Sequence, residues 1–470
     1  MLTDTSRWSH ARGNGVVPSR WQATSAPIPP FADRHVELMT ASRPDRTDSA
    51  RGRLVVIGQG YVGLPLAARA VEVGWDVVGL EVDARRVQQL SAGHSYIEDI
   101  TSDQLVATLG TGRYQPTADY REAADFDVAV ITVPTPLRDG QPDLSFVENA
   151  CAALASHLRQ GATVVLESTT YPGTTQELVA PLLEAATGLL AGTDFHLGYS
   201  PERIDPGNEW WTLVTTPKVV SGVSQASLTA VDAFFKTVVE HTVPVSSPKE
   251  AELSKLLENT FRHVNIALVN ELAVFAHALD IDIWEAIDAA STKPFGFMRF
   301  TPGPGVGGHC LPIDPSYLSW QVERTLGQAF RFVELANDVN EHMPDYVARR
   351  AIALLNDRRM AVNGTRVLIL GLAYKRNTGD ARESPATRVA ELLHAMGADV
   401  RAADPHVLGP PPDGVRMVDL DVEEVRKAEL VILLTDHDCY DITVVAEAGT
   451  PVLDCRRVRA LNSLPHVHRL

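Results

Sequence analysis

The residue best suited to covalent chemistry is Cys310. It ends the run Pro302-Gly303-Pro304-Gly305-Val306-Gly307-Gly308-His309-Cys310, and Leu311-Pro312-Ile313-Asp314-Pro315 follows. A loop with so little side-chain bulk lets a ligand lie against its backbone. A thiol at the loop's end, just before a helix, gains from the helix N-terminal field, which favours thiolate. Asp314 falls in the first turn of that helix and can face the same site. The bland alternative for Cys310 is a small buried apolar residue, the usual fate of a lone cysteine. For Cys151, Cys439 and Cys455 that alternative is taken.

A second constellation is Gly58-Gln59-Gly60-Tyr61-Val62-Gly63, set between an apolar run at 54–57 and a helical pattern at 64–73. Gly58 allows a tight turn, Gly60 a close approach to a pyrophosphate, and Gly63 close helix–strand packing. The helix N-terminus then faces the phosphates with its partial positive charge. Glu81 ends the next strand about twenty residues on, where a carboxylate accepts the adenosine ribose hydroxyls and repels a 2′-phosphate. The cofactor expected is NAD. A glycine turn without a cofactor is the competing reading. Lys255 and Asn259, four apart, share one helix face, although a solvated lysine is the commonest alternative. Glu167 ends a strand at the edge where open α/β sheets bind ligands. Thr135 lies in the Val133-Pro134-Thr135-Pro136 turn. Ordinary turn and cap chemistry would also account for both.

These groups need a scaffold, and the alternation of apolar runs with helical patterns supplies one. Strands are expected at 54–57, 76–80, 128–133, 163–166, 195–198, 219–221 and 242–245, then at 367–370, 399–402, 430–434 and 451–453. Helical stretches between most of them are the signature of parallel sheets with crossover helices. The stretch between is helical: 249–279 reads as one long helix, 283–290 as a second, and about 314–358 as more helix. The fold expected is α/β, two Rossmann-like domains joined by a central long-helix region that forms a dimer interface. The divisions are an extension at 1–50, a cofactor domain at 51–247, a central helical region at 248–358 carrying the cysteine loop, and a C-terminal α/β domain at 359–470. Residues 1–50 hold no apolar period and are rich in Ser, Thr, Arg, Pro and Asp, which predicts disorder. Met39 is an alternative start.

Composition narrows the partners. A chain of 470 residues with 45% hydrophobic content can bury a large core. A net charge of −17 argues against a general nucleic-acid binder. Four cysteines without CxxC or zinc spacing point to a reduced protein with no structural metal. No apolar run of about 20 residues suggests a membrane span, and the N-terminus lacks a signal-peptide core. A cytoplasmic enzyme is expected.

Seven motifs together resemble the UDP-glucose/GDP-mannose dehydrogenase family: the glycine turn at 58–63, Val-Pro-Thr-Pro at 133–136, Glu-Ser-Thr-Thr-Tyr-Pro-Gly-Thr-Thr at 167–175, Ser-Pro-Glu-Arg-Ile at 200–204, Glu-Leu-Ser-Lys-Leu-Leu-Glu-Asn-Thr-Phe-Arg at 252–262, the cysteine loop, and Ala-Tyr-Lys-Arg-Asn-Thr-Gly-Asp-Ala-Arg-Glu-Ser-Pro at 373–385. The resemblance runs from about Arg53 to the C-terminus. It implies a four-electron oxidation of a nucleotide sugar's primary alcohol to an acid, with two NAD⁺ and Cys310 as nucleophile. By the same resemblance Lys255 and Asn259 stabilise developing oxyanions, Asp314 works with Lys255 on a water or proton, and Glu167 assists thioester hydrolysis as a base. Thr135 and Thr169 touch cofactor or catalytic water, beside Gly58, Gly60, Tyr61, Val62, Gly63 and Glu81. Arg262, Gly307, Lys375, Arg376 and Arg456, with Arg382 near them, are expected at the UDP-sugar.

Residues 283–290, 293–298 and Pro312-Ile313-Asp314-Pro315 look most like the UDP-N-acetylglucosamine branch, from which Arg299 departs. UDP-N-acetylmannosamine and UDP-glucose are the alternatives. A β-hydroxyacid dehydrogenase shares the two-lobed plan but needs no cysteine. A silent nucleotide-sugar binding protein should have lost Cys310, Lys255 or Asp314, and all three are present.

Overall fold

The computed structural model describes residues 51–470 except 98, 139, 205–207, 209 and 309–310. The proposed extension at 1–50 and the proposed nucleophile Cys310 lie outside the described residues, as does His309.

The first six-stranded sheet contains β1 (Arg53–Ile57), β2 (Asp76–Leu80), β3 (Tyr114–Thr117), β4 (Val128–Ile131), β5 (Thr163–Leu166) and β6 (His196–Tyr199). Its order is β3-β2-β1-β4-β5-β6 and every pairing is parallel. The central strands are nearly continuous Val, Ile and Leu because both faces are covered. Val55, Ile131 and Leu166 join one apolar cluster and Leu54, Val130 and Val165 the other. The order reverses between β1 and β4, and an open α/β sheet binds ligands at that switch point, beyond the strands' carboxyl ends.

Two of the expected runs leave this sheet. β7 (Lys218–Val220) and β8 (Thr242–Pro244) pair with each other in a separate parallel ribbon. The C-terminal sheet repeats the first order: β9 (Arg366–Leu370), β10 (Asp399–Ala403), β11 (Arg416–Met417), β12 (Leu430–Leu433), β13 (Val452–Asp454) and β14 (Val467–Arg469) lie as β11-β10-β9-β12-β13-β14, all parallel.

Helix α1 (Gly63–Glu72) follows β1. The two sheets are joined by α2 (Pro248–Ala278), whose 31 residues span about 46 Å at the usual helical rise. Ser247 caps it through the Lys249 N–H, and Pro248 takes the first turn, where its missing donor costs nothing. α3 (Ile283–Ser291) follows. The expected helix at 314–358 is three: α4 (Asp314–Leu326), α5 (Arg331–Glu341) and α6 (Met343–Asp357). Gly327, at φ +64°, ends α4 in the left-handed conformation. α4 and α5 pack on α2, and Arg457 and Arg469 reach back from the C-terminal domain to Asp288 and Asp282 around α3. No described helix is long and apolar enough to cross a membrane.

Candidate active site

Gly58 turns with φ +95°, and a Cβ there would lie 2.7 Å from the Thr132 carbonyl oxygen. A Cβ on Gly63 would lie 1.8 Å from the Gly58 carbonyl oxygen, so only glycine lets α1 pack against the turn. Gly60 differs. Nothing described lies within 4 Å of its Cβ position, so packing does not demand glycine there and a ligand has room. Val62 gives α1 no side-chain cap, and with the Leu64 N–H taken by the Gly60 carbonyl oxygen at 3.1 Å and no donor on Pro65, the Gly63 N–H is the first-turn group left for an anion. Tyr61 is exposed at the lip, beside Val62. Glu81 follows β2, 7% exposed, and accepts from the Gln59 and Asp83 N–H groups at 3.3 and 3.1 Å. These residues fit a dinucleotide, with pyrophosphate at the α1 N-terminus and a ribose at Glu81. Glu81→Ala should weaken NAD⁺ binding about 10- to 100-fold, the loss of hydrogen bonds to a charged group. Unchanged affinity by calorimetry would remove the ribose assignment.

The catalytic candidates converge from three elements. Lys255 and Asn259 project from one buried face of α2. Asn259 Nδ2 donates to Asp314 Oδ2 at 2.6 Å, and Asp314 opens α4 in its first turn. Burial pushes the Asp314 carboxyl up to about 6, against the pull of the Lys255 charge and the Asn259 hydrogen bond. Lys255 Nζ donates to the Glu202 carbonyl oxygen, in the Ser-Pro-Glu-Arg-Ile loop that follows β6. Tyr317, also on α4, donates its hydroxyl to the Thr135 carbonyl oxygen. Thr135 Oγ1 in turn donates to the Thr169 carbonyl oxygen at 2.8 Å. The turns after β4 and β5 are therefore held to the helix that carries Asp314.

Glu167 follows β5 but does not stand alone. Its carboxyl contacts Lys218 Nζ, and Lys218 also donates to Glu202 Oε2 at 2.9 Å. Burial raises the Glu167 carboxyl well above the usual carboxylate range. Burial works on Glu202 in the same sense, but the Lys218 charge and hydrogen bond outweigh it and hold that carboxyl low. Glu167 is thus the inner member of a triad whose outer member, Glu202, lies beside Lys255.

In the C-terminal domain the expected cations separate. Arg456 is half-buried beside the cysteine loop: its Nε donates to the Leu434 carbonyl oxygen at 2.6 Å, and Nη1 lies 3.1 Å from the Cβ position of Gly303. Lys375 is half-buried and Arg376 exposed, the latter paired with Asp436 and Asp438. Arg382 pairs with Asp380 at 2.7 Å. Arg262 is exposed on α2, one turn beyond Asn259. Arg299 makes a surface ion pair with Asp288 at 3.0 Å.

Two expectations need correction. Cys439, read as a buried apolar residue, is exposed, because it sits in the loop beyond the carboxyl end of β12, where its Sγ lies 3.4 Å from His406 Nε2. Cys151 and Cys455 are buried, as expected. The bare backbone of the cysteine loop also has a different cause at two positions. A Cβ on Gly307 would lie 2.7 Å from the Glu383 carbonyl oxygen, and one on Gly308 2.7 Å from the Tyr374 ring. Those glycines seat the loop against the C-terminal domain.

Three family models match in chain order: the UDP-glucose/GDP-mannose dehydrogenase family NAD binding domain over residues 52–268, its central domain over 249–342 and its UDP binding domain over 368–460. The UDP-N-acetyl-D-mannosamine dehydrogenase of Pyrococcus horikoshii is 36% identical over 386 residues, 82% of this chain and 89% of that protein. The chain belongs to the UDP-glucose/GDP-mannose dehydrogenase family. A UDP-N-acetyl-D-glucosamine 6-dehydrogenase of Salmonella typhi is 34% identical over 401 residues, 84% of this chain and 89% of its own. The solved structure of the P. horikoshii enzyme superposes with a TM-score of 0.79 at 34% identity, covering 86% of this chain and 95% of that one. A UDP-glucose dehydrogenase from Pyrobaculum islandicum also gives 0.79, at 29% identity, covering 91% and 99%. As a member of the UDP-glucose/GDP-mannose dehydrogenase family, the protein is an NAD-dependent UDP-sugar dehydrogenase.

Sequence reasoning about this family member missed three charged groups, the buried Lys218 and Glu252 and the half-buried Glu202. Lys218 and Glu202 form the triad with Glu167. Glu252, fully buried on α2, accepts from the Gly173 N–H at 2.6 Å and from the Thr175 N–H and hydroxyl at 2.9 and 2.7 Å. It ties the 167–175 loop to the helix of Lys255 and Asn259. One signal was available: Glu252, Lys255 and Asn259 recur at three and four, so Glu252 shares the catalytic face.

Proposed function

We propose that the protein oxidises the C-6 hydroxyl of a UDP-N-acetylhexosamine to a carboxylate, with Cys310 holding the carbonyl carbon between two oxidations. When bound, NAD⁺ accepts the hydride released at each oxidation. The chain's own residues do the rest. Asp314 takes the proton of the sugar hydroxyl, and Lys255 and Asn259 stabilise the alkoxide so formed and later the oxyanion of hydrolysis. The Cys310 thiolate adds to the aldehyde, so that it cannot escape, and the thiohemiacetal becomes a thioester on losing the second hydride. Water then attacks the thioester, the Cys310 thiolate leaves, and the acid is released. Asp314 orients that water with Lys255, and the triad of Glu167, Lys218 and Glu202 takes its proton, with Glu202 as the member nearest the site. Thr135 and Thr169 border the nicotinamide end of the cofactor. Arg262, Lys375, Arg376 and Arg456 serve the UDP-sugar.

The observation that carries this reading is the buried meeting of Lys255, Asn259 and Asp314 beside Glu202. The wording of residues 283–298 supports the gluco sugar. The name of the 36%-identical P. horikoshii relative supports the manno sugar. Incubating purified protein with NAD⁺ and a panel of UDP- and GDP-sugars separates them. Two NADH per sugar with a UDP-N-acetylhexosamine supports the reading, whereas one per sugar, or none with any nucleotide sugar, rejects it.

We also infer a cytoplasmic homodimer built on α2. Leu253, Leu257, Leu268, Leu272 and Phe275 recur at helical spacing on its far side and are exposed in the single chain. Sedimentation of the same preparation should show a dimer; a monomer would remove this part of the proposal.

A further inference from the structure

We propose that Lys218 is a positioning residue of this reaction: its buried ammonium clamps Glu167 and Glu202 so that the pair holds one proton, carried by Glu167, and Glu202 faces the site as the carboxylate. The inference rests on the reading above and deepens it.

The geometry is that of a proton-sharing pair around one cation. Lys218 opens β7, 3% exposed, and touches both carboxyls. Its aliphatic stem is enclosed as well, with the ammonium 5.3 Å from the centre of the Phe235 ring. Two carboxylates against a single ammonium would leave one buried negative charge without a counter-charge, which is costly in a dry interior. A shared proton removes it. The two carboxyls are not equivalent. Glu167 is 2% exposed, and its Oε2 finds no hydrogen-bond partner among the described residues. Glu202 is the more exposed carboxyl, and its Oε1 accepts from the Arg203 and Ile204 N–H groups at 2.7 Å. Three donors on Glu202 and an orphaned oxygen on Glu167 assign the charge to Glu202 and the proton to Glu167. The shifts agree in direction.

The surroundings reinforce the asymmetry. Facing Glu167 are Lys218 from β7, Glu202 from the loop after β6, and the buried Tyr199 hydroxyl at the end of β6. Beyond Tyr199 lie Glu252 of α2 and Asp314 of α4. The Glu202 charge opposes ionisation of Glu167, while the Tyr199 phenol, pushed well above its ordinary value by burial, is neutral and adds no charge. Lys255 of α2 donates to the Glu202 backbone carbonyl oxygen, which sets this loop beside the catalytic face.

Infrared spectroscopy of the full-length protein tests this without requiring turnover. The wild type should show a protonated-carboxyl band at neutral pH, beyond any contribution of the buried Glu252, that disappears at alkaline pH and is lost both in Glu167→Gln and in Glu202→Gln, where the one carboxyl left pairs with Lys218. Lys218→Met should add a second protonated carboxyl to the band, because Glu202 loses the cation that keeps it ionised, and Lys218→Arg should remove it again. Glu202→Gln should cost about 100-fold or more in acid formation, the scale of a lost general base, and at least tenfold more than Glu167→Gln. If Lys218→Met does not fold, the wild-type band and its loss in Glu167→Gln still decide. A band undiminished in Glu167→Gln, no added band in a folded Lys218→Met, or a larger cost to acid formation from Glu167→Gln than from Glu202→Gln overturns the proposal. Absence of any sugar oxidation by the wild type would instead count against the function and leave the infrared result standing.

Discussion

Cys310→Ser should abolish acid formation, by about 10³-fold or more, as removal of a covalent nucleophile does, and leave NAD⁺ affinity largely intact. A serine hydroxyl is scarcely ionised at neutral pH, while the field of a helix N-terminus favours thiolate over thiol. Without the sulfur the aldehyde has no covalent hold, so any first-step product should escape or stall. The cofactor residues gathered around Gly58 and Glu81 belong to the first sheet and its turns, so the substitution should not reach them. Acid yield measured by chromatography against NADH release gives the answer. Equal acid from the serine variant would refute the covalent role.

The second large effect is expected at Lys255. Lys255→Met should lower kcat/KM by about 10²- to 10³-fold, the usual scale for losing one oxyanion stabiliser. It should also change the pH profile. The Asp314 carboxyl titrates near 6 because burial raises it and Lys255 draws it down. If the carboxylate is the working form, activity falls as pH drops through about 6. Without Lys255 the opposing charge is gone, so the acid limb should move to higher pH. A kcat/KM loss with an unmoved acid limb would show that Lys255 and Asp314 do not act on the same step.

Much of this arrangement was readable in the residues. β1, β2 and β5 are apolar after their first residue, and the glycine turn and Glu81 stand at fixed distances from them, so local pattern suffices. Lys255, Asn259 and Asp314 were legible as a group because two share a helix face and the third starts a helix after an unusual loop. β3 was not, because Tyr114–Thr117 is four residues long, contains Pro116 and sits at the sheet edge, where alternation is weak. β11 has two residues and pairs only with β10.

The buried triad was hidden for another reason. Glu167 and Lys218 are 51 positions apart and Lys218 and Glu202 16. No periodicity in one element reveals that charges on three separate segments meet. Lys218 read alone is an ordinary lysine beside a strand. Gly307 and Gly308 misled in the opposite way: their neighbours Tyr374 and Glu383 come from another domain, so the missing side chains looked like space kept for a ligand.

The central claim is that one sulfur holds the sugar carbon between two oxidations. Intact-mass and peptide mapping of protein quenched during turnover with NAD⁺ and its preferred UDP-N-acetylhexosamine measures this directly. The account predicts an adduct of the oxidised nucleotide sugar on the peptide bearing Cys310, built up in the Glu202→Gln variant, which lacks the base for hydrolysis, and absent from Cys310→Ser. Two NADH per sugar with no adduct on that peptide, under quenching that preserves a control thioester, would contradict it.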